Sequence, residues 1–293
     1  MIEAIAVATK GTSSRLGRQK RIRRYLNNSH QVHGWLHQYS AAFIAELSRF
    51  QCESGISGAV GEIGVHMGRL FILLKLTAGE NEKCFALDVF DEQHLNIDES
   101  GFGNRDAFLR NVRKWTGDTD VAVIQSSSLE VRPADIVDAV GPCRLVSIDG
   151  GHTEEITYSD LRLIEAVLSE AGVVILDDFF NQSWPGVAAG AAKYFLDPAR
   201  TIRPFAVSPN KIYLAAPGCH DLYRNALLRL QGTRFEKTAR MFGNDVAVFG
   251  CGSVPVSQRI RRSIRRSKIG SGVRFAKRLI GLNRVDPVGG IPS

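Results

Sequence analysis

A glycine-punctuated turn between an apolar segment and a helix-like segment constrains this chain more than any other feature. The stretch 58–68 begins as a short apolar run, reaches the acidic residue Glu62, and turns through Gly64 and Gly68 into the apolar run 70–74. Glycine permits positive φ and close approach of a ligand, and a helix start presents free N–H groups. The pattern predicts the strand, turn and helix that open a nucleotide-binding βαβ unit.

The next apolar segment supports this interpretation because it also ends on an acidic residue. Residues 83–89 lead to Asp88, which follows Glu62 by 26 positions. In a doubly wound sheet the two strands are neighbours, so both carboxylates reach one edge of the same crevice. We expect Asp88 to hold the two hydroxyls of a ribose.

Strand-like and helix-like segments then alternate, and this alternation predicts the fold class. Because β and α segments alternate as far as Asp178, we predict an α/β fold with a doubly wound, mostly parallel, Rossmann-like sheet and helices on both faces. The last strands predict an antiparallel C-terminal edge. The remaining strands are expected at 121–125, 143–149, 173–176, 205–207, 212–215 and 246–249. The helices are expected at 31–50, 105–115, 133–140, 153–170, 187–195 and 221–230.

Charge is distributed unevenly and divides the chain into three predicted parts. The total is +7, but residues 1–30 carry +6 and residues 255–293 carry +9, so residues 31–254 carry −8. We expect a basic flexible N-terminal segment, an acidic catalytic domain, and a basic amphipathic tail suited to a membrane surface or another anionic partner. No nucleic acid is expected at the acidic core.

Apolar runs and cysteines indicate where such a protein resides. No run approaches the roughly 20 apolar residues that cross a bilayer. The five cysteines stand alone, without a Cys-x-x-Cys pair, which favours reduced thiols. We therefore expect a cytoplasmic protein, peripheral at the membrane surface if the tail binds lipid. The sequence does not indicate an oligomeric state.

Polar or acidic residues end the strong predicted strands. Carboxyl ends of parallel strands line the ligand crevice of an open α/β sheet, so these side chains are expected on one rim. They are Glu62, Asp88, Ser126–Ser128, Asp149 and Asp177.

Two of these acids, Asp149 and Asp177, together with the adjacent Asp178, predict a metal site. Neighbouring parallel strands lie about 4.8 Å apart, so the carboxylates converge. Close acids repel one another unless a cation lies among them or one keeps its proton. All-oxygen ligation suits a hard ion, Mg²⁺ first.

Residues from 58 to about 194 resemble the class I S-adenosylmethionine-dependent methyltransferases. Residues 62–68 resemble their first motif, Asp88 their ribose-binding acid, and 126–128 a turn near the adenine. The resemblance identifies 31–254 as the methyltransferase domain. His66 departs from the pattern, since many of these enzymes have glycine there. The cofactor contacts it implies are Glu62, Gly64, Gly68, Asp88 and Ser127.

The segment Asp149-Gly-Gly-His-Thr, taken with Leu176-Asp-Asp, resembles the metal-dependent small-molecule O-methyltransferases of the macrocin type and, more distantly, of the catechol type. In those families, acids at the positions of Asp149, Asp177 and Asp178 hold Mg²⁺; the catechol type has an amide at the last position. The resemblance implies Mg-assisted methylation of a small-molecule or sugar hydroxyl. His152, three residues past Asp149, is the expected general base, and Asp149 is the second expected catalytic residue as well as a metal ligand.

Three alternatives stay open at this point. An RNA methyltransferase would want basic charge around the crevice, where this chain is acidic. An NAD-type dehydrogenase shares the glycine turn and ribose acid but gives no reason for the three clustered aspartates. A non-catalytic cofactor-binding module gives no reason for acids at so many strand ends.

Overall fold

A computed structural model describes residues 16–229 and 234–250 of the chain. Within these residues one nine-stranded sheet has the order β3-β2-β1-β4-β5-β7-β6-β9-β8. The strands are β1 Ala59–Ile63, β2 Cys84–Asp88, β3 Ala122–Gln125, β4 Cys143–Ile148, β5 Leu168–Leu176, β6 Arg203–Ser208, β7 Lys211–Ala215, β8 Phe235–Met241 and β9 Asn244–Phe249. Strands β1 to β5 pair in parallel, and β7 joins β5 antiparallel. The predicted mostly parallel sheet with an antiparallel C-terminal edge is confirmed.

Helices cover both faces of this sheet. They are α1 16–28, α2 Gln38–Glu53, α3 Arg69–Thr77, α4 Arg105–Thr116, α5 Pro133–Val140, α6 Glu154–Glu165, α7 Pro185–Leu196 and α8 His220–Arg229. One buried cluster includes Phe43, Leu73 and Phe108 from α2, α3 and α4. A second cluster on the opposite face includes Ile136 and Leu161 from α5 and α6. The central strands are buried along their length because helices pack on both sides of them.

The boundary between α6 and β5 differs from the prediction. The sequence predicts a helix as far as 170, but α6 ends at Glu165 and β5 begins at Leu168, which pairs with Cys143. Apolar residues in this stretch suit either a helix face or a strand, and pairing with β4 decides between them. Gly172 is therefore a strand residue, where a Cβ would lie 2.8 Å from the Cys143 carbonyl oxygen.

The N-terminal region and the sheet edge contain two further corrections. Residues 16–28 form α1, so the predicted flexibility does not hold there. Tyr25 of α1 is fully buried, and its ring meets Trp115 edge-on at 5.1 Å. The helix predicted at 31–50 begins only at Gln38, so residues 32–37 precede it. Strand β8 was not predicted at all.

The two basic terminal segments that the sequence predicts lie partly or wholly outside the residues that the structure describes. The start of the basic N-terminal segment, residues 1–15, and the basic tail, residues 255–293, lie outside the described residues. Among the residues that are described, none of the helices has the length and apolar character to span a membrane.

Candidate active site

A cavity of about 800 Å³ opens where the parallel strands end. Its wall includes Gly64 after β1, Asp88 of β2, Ser126–Ser128 after β3, Asp149 after β4, and Asp177-Asp178 after β5. The segment 34–37, the loop 93–103 and the hairpin 209–211 complete it. The volume lies near the upper end of the range for small-molecule and cofactor sites, about 300–1,000 Å³.

Asp88 is fixed at one end of the cavity by backbone donors. The His66 N–H donates to its Oδ2 at 2.7 Å, and the Phe90 N–H donates to its Oδ1 at 2.6 Å. Burial raises the pKa of Asp88, while these two hydrogen bonds oppose the change. Each carboxylate oxygen keeps a second lone pair for a ligand.

The turn after β1 has the conformations that its residues suggest. Gly64 has φ +79°, and a Cβ there would lie 1.9 Å from the Asp149 carbonyl oxygen. Only glycine therefore lets this turn pass against the end of β4. His66 has φ +51°, an uncommon value for a non-glycine residue. Its backbone holds Asp88, and its ring lies 5.6 Å from the ring of Trp35.

Two predicted cofactor residues, Glu62 and Gly68, do not line the cavity, whereas Ser127 does. Glu62 is 2% exposed, and no described residue offers its Oε2 a hydrogen bond. Burial raises the pKa of Glu62 well above its ordinary value. Gly68 caps α3 with φ +89°, and a Cβ there would lie 2.9 Å from the Phe108 ring. Helix packing therefore accounts for this glycine.

The acidic end of the cavity brings Asp149, His152 and Asp178 together. One ligand atom from each lies within 4.8 Å of the others, and His152 Nε2 is 3.1 Å from Asp178 Oδ2. Burial and the neighbouring Asp177 raise the pKa of Asp149 to about 8, although Lys211 opposes this. Burial also acts to raise the pKa of Asp178, but hydrogen bonds from His152, and from asparagine side chains, lower it to about 2.

Asp177, the third predicted metal ligand, is paired with Lys211, which sequence reasoning missed. The Lys211 ammonium donates to Asp177 Oδ2, and Lys211 is 2% exposed. Antiparallel pairing of Leu176 with Ile212 puts Lys211 beside the end of β5. Burial lowers the pKa of Lys211, but Asp177 and Asp149 raise it by more. The sequence predicts an antiparallel edge, but this lysine could be identified only from the register of β7 against β5.

His152 has a second acidic partner, Asp98, which also was not predicted. His152 Nδ1 lies 2.7 Å from Asp98 Oδ2, and the His152 backbone N–H donates to the same oxygen. Trp184 stacks on the His152 ring at 4.2 Å with 18° between the planes. Burial lowers the pKa of His152, but hydrogen bonds to Asp178 and Asp98 outweigh it and raise that pKa to about 9.

Of the aromatic residues near this end, Trp184 lines the cavity, but Phe179 and Phe180 do not. Phe180 is 52% exposed, and Phe179 packs against the second core cluster.

The residues present fit both groups that the sequence implies. Oxygen-rich ligation by Asp149 and Asp178 is the chemistry that a hard divalent cation requires. Asp88, which keeps acceptor capacity beside its two backbone donors, and the turn at Gly64, which needs glycine, offer a cradle for the cofactor in the same cavity wall. The two halves adjoin in one cavity.

The comparisons with known proteins agree with the methyltransferase class that the sequence predicts. Residues 62–179 match a family model described as a methyltransferase domain. The solved structure of the O-methyltransferase NovP matches with a TM-score of 0.55 at 14% identity, over 69% of this chain and 99% of that one. This likeness establishes the fold. The predicted Rossmann-like fold is therefore confirmed, and the match of residues 62–179 supports the predicted class, a class I S-adenosylmethionine-dependent methyltransferase.

Two other solved structures show weaker similarity. CalS11, a TDP-rhamnose 3'-O-methyltransferase, matches with a TM-score of 0.45 at 19% identity, over 62% of this chain and 81% of that one. MycE in complex with Mg, SAH and mycinamycin VI matches with a TM-score of 0.44 at 16% identity, over 68% of this chain and 54% of that one. The comparison with curated proteins gives no significant match.

Proposed function

We propose that this protein is an S-adenosylmethionine-dependent O-methyltransferase that uses Mg²⁺ to methylate a hydroxyl of a small molecule or sugar. The observation that carries the proposal is the convergence of Asp149, His152 and Asp178 within 4.8 Å. This cluster adjoins the part of the cavity that Asp88 lines. NovP, which shares the fold, is an O-methyltransferase.

Each half of the cavity has a distinct task. Asp88 would hold the ribose of the cofactor, with Gly64 and Ser127 along the same wall and Glu62 beneath it. Asp149, Asp177 and Asp178 would hold the ion, with Lys211 sharing Asp177. When bound, S-adenosylmethionine supplies a methyl group activated on a sulfonium, and Mg²⁺ lowers the pKa of a neighbouring hydroxyl.

The chain's own residues manage the proton and the orientation. His152 accepts the proton of the acceptor hydroxyl at Nε2, the ring nitrogen that faces Asp178. The hydrogen bond that His152 donates to Asp178 is one cause of the raised pKa of His152. Once the charge of Asp178 is compensated, that pKa falls, and the neutral imidazole needed for a base becomes accessible. Trp184 shields one face of the ring from water.

Calorimetry with S-adenosylhomocysteine, with and without Mg²⁺, tests the cofactor and metal sites before any acceptor is known. We expect binding to the full chain, and separate binding of Mg²⁺ that Asp149→Asn abolishes while S-adenosylhomocysteine still binds. Transfer of a labelled methyl group to a panel of catechols and sugars then tests the chemistry. Failure to bind S-adenosylhomocysteine would overturn the proposal, and so would Mg²⁺ binding that Asp149→Asn leaves unchanged.

The class of methyl acceptor and the binding partner of the basic tail are tested separately. Methyl transfer to RNA but to no small hydroxyl compound would favour the alternative of an RNA enzyme. Binding of the tail, residues 255–293, to anionic lipid stays a prediction, and vesicle co-sedimentation in low and high salt checks it.

A further inference from the structure

We infer that Asp98 is a positioning residue for His152: its carboxylate fixes the imidazole so that Nε2 faces the acid cluster. The inference rests on the proposed function, in which His152 receives the proton of the acceptor. Asp98 belongs to the loop between β2 and α4, which forms part of the cavity wall.

The contact between the two residues uses one oxygen twice. Asp98 Oδ2 accepts from the His152 backbone N–H at 2.5 Å and lies 2.7 Å from Nδ1 of the same residue. The two side chains are 9% and 11% exposed. A carboxylate only accepts when ionised, so Nδ1 must carry the proton. Nε2 faces the Asp178 carboxylate, so the ring is doubly protonated while both carboxylates are ionised. When the ring loses one proton, the Nδ1–H held by Asp98 leaves Nε2 as the acceptor.

Asp98 is itself held in place within the loop. The backbone N–H and the hydroxyl of Ser100 donate to its other oxygen, Oδ1, at 3.1 and 2.7 Å. Asn96 donates to the carbonyl oxygens of Ser100 and Gly101, so this part of the loop is cross-bonded. Burial acts to raise the pKa of Asp98, but the bonds from His152 and Ser100 lower it far below its usual range.

Other acids of the loop have different partners. Asp91 accepts from the Asn104 side chain and the Arg105 backbone, at the start of α4. Glu92 is exposed, and its carboxylate lies 3.8 Å from the His94 ring. Since neither contacts His152 in the structure, a change at Glu92 alters the charge of the loop without touching the pair. Glu92→Ala is therefore the matched control.

Trp184 constrains the ring in a different way. Its stacking at 4.2 Å restricts tilting of the imidazole, but both nitrogens remain in the ring plane. Stacking does not distinguish one edge of the ring from the other, whereas the hydrogen bond to Asp98 does. Asp98 therefore determines which nitrogen points at the acid cluster.

A double-mutant cycle tests whether Asp98 acts through His152. The variants are Asp98→Ala, His152→Ala, both together, and Glu92→Ala, measured as kcat and KM for an acceptor that the wild type methylates. We expect Asp98→Ala to lower kcat by about 10- to 100-fold, the loss found when the partner that orients a metal-bound histidine is removed, with little change in KM. In the His152→Ala background it should have no further effect. Asp98→Asn, which keeps an acceptor oxygen, should fall in between.

Two results overturn the inference. The first is a loss of kcat in Asp98→Ala by the same factor with and without His152, because equal losses would show that Asp98 acts independently of His152. A rise in KM, or weaker S-adenosylhomocysteine binding, with kcat unchanged would show that Asp98 only closes the loop over the cavity.

A spectroscopic readout separates this inference from the proposed function. In the full chain labelled with ¹⁵N-histidine, the Nδ1–H of His152 should exchange slowly with solvent, because it is hydrogen-bonded and partly buried. The signal should persist in Glu92→Ala and disappear in Asp98→Ala, whether or not methyl transfer is found. A protected Nδ1–H in Asp98→Ala would refute the positioning role. If the wild type transfers no methyl group but its Nδ1–H signal is still lost in Asp98→Ala, the contact between Asp98 and His152 is upheld and only the proposed function is refuted.

Discussion

Replacing Lys211 by methionine tests the electrostatics of the whole site. Lys211 is 2% exposed, and its ammonium bonds to Asp177 close to Asp149 and Glu62. Methionine keeps the length and apolar character of the side chain but removes the charge. The substitution therefore leaves the carboxylates in place without their buried cation, while the pairing of β7 with β5 is preserved.

The expected loss is large because both partners are shielded from solvent. The side chains of Lys211 and Asp177 are 3% and 12% exposed. Breaking a buried ion pair by removing one partner costs about 3–5 kcal/mol, since an uncompensated charge stays behind. The free energy of unfolding of a native protein is about 5–15 kcal/mol, so the variant should be markedly less stable. The loss should shrink toward about pH 4, because the carboxylates left without a cation can then take up protons.

Urea unfolding of the full chain measures this difference, and Lys193→Met is the matched control. Lys193 pairs with Glu154 at 3.3 Å, and both side chains are 55% exposed. An exposed pair contributes about 0–1 kcal/mol. Equal losses in the two variants, or a loss at Lys211 that does not change with pH, would refute the electrostatic reasoning. Mg²⁺ at about 100 times its dissociation constant should add about 2.7 kcal/mol to any form that binds it.

Three other substitutions probe the fold and the cofactor site. Glu82→Gln should lower the free energy of unfolding by about 3–5 kcal/mol in urea, because Arg144 is fully buried and bonds both Glu82 oxygens at 2.7 Å. Burial raises the pKa of Asp160 to about 7. In thermal scans, the stability of the wild type relative to Asp160→Asn should therefore fall as the pH rises from about 4 to about 7, by at most about 4 kcal/mol. Asp88→Ala should weaken S-adenosylhomocysteine binding about 10- to 100-fold by calorimetry, since a bond to a charged group contributes about 1.5–3 kcal/mol.

The part of the site that the sequence could predict is the part that parallel strands assemble. Asp88, Asp149 and Asp178 each follow or end an apolar run. A parallel sheet then brings such positions to one edge, whatever the length of the connections. The cavity wall contains all three. The order of the strands therefore suffices to predict that these three aspartates share one edge of the sheet, without knowledge of individual side-chain contacts.

Residues that reach the site from loops and hairpins could not be predicted in this way. Asp98 is separated from His152 by 54 positions, and the loop holds other acids with nothing in the sequence to distinguish them. Lys211 meets Asp177 over 34 positions, and only the register of β7 against β5 decides that contact. A shift of one residue in that register would turn Lys211 to the other face of the sheet.

Basic and amide partners reduce the repulsion among the clustered acids. Asp177 is neutralised by Lys211, and Asp178 is bonded by His152 and by the side chains of Asn181 and Asn210. Asp149 is the acid whose pKa is raised, to about 8, so it is the carboxylate that gains most from an added cation. Binding of a divalent ion should therefore release a proton from Asp149 near neutral pH. Mg²⁺ affinity should increase as the pH rises through about 8, whereas an affinity independent of pH between about 6 and 9 would contradict this account.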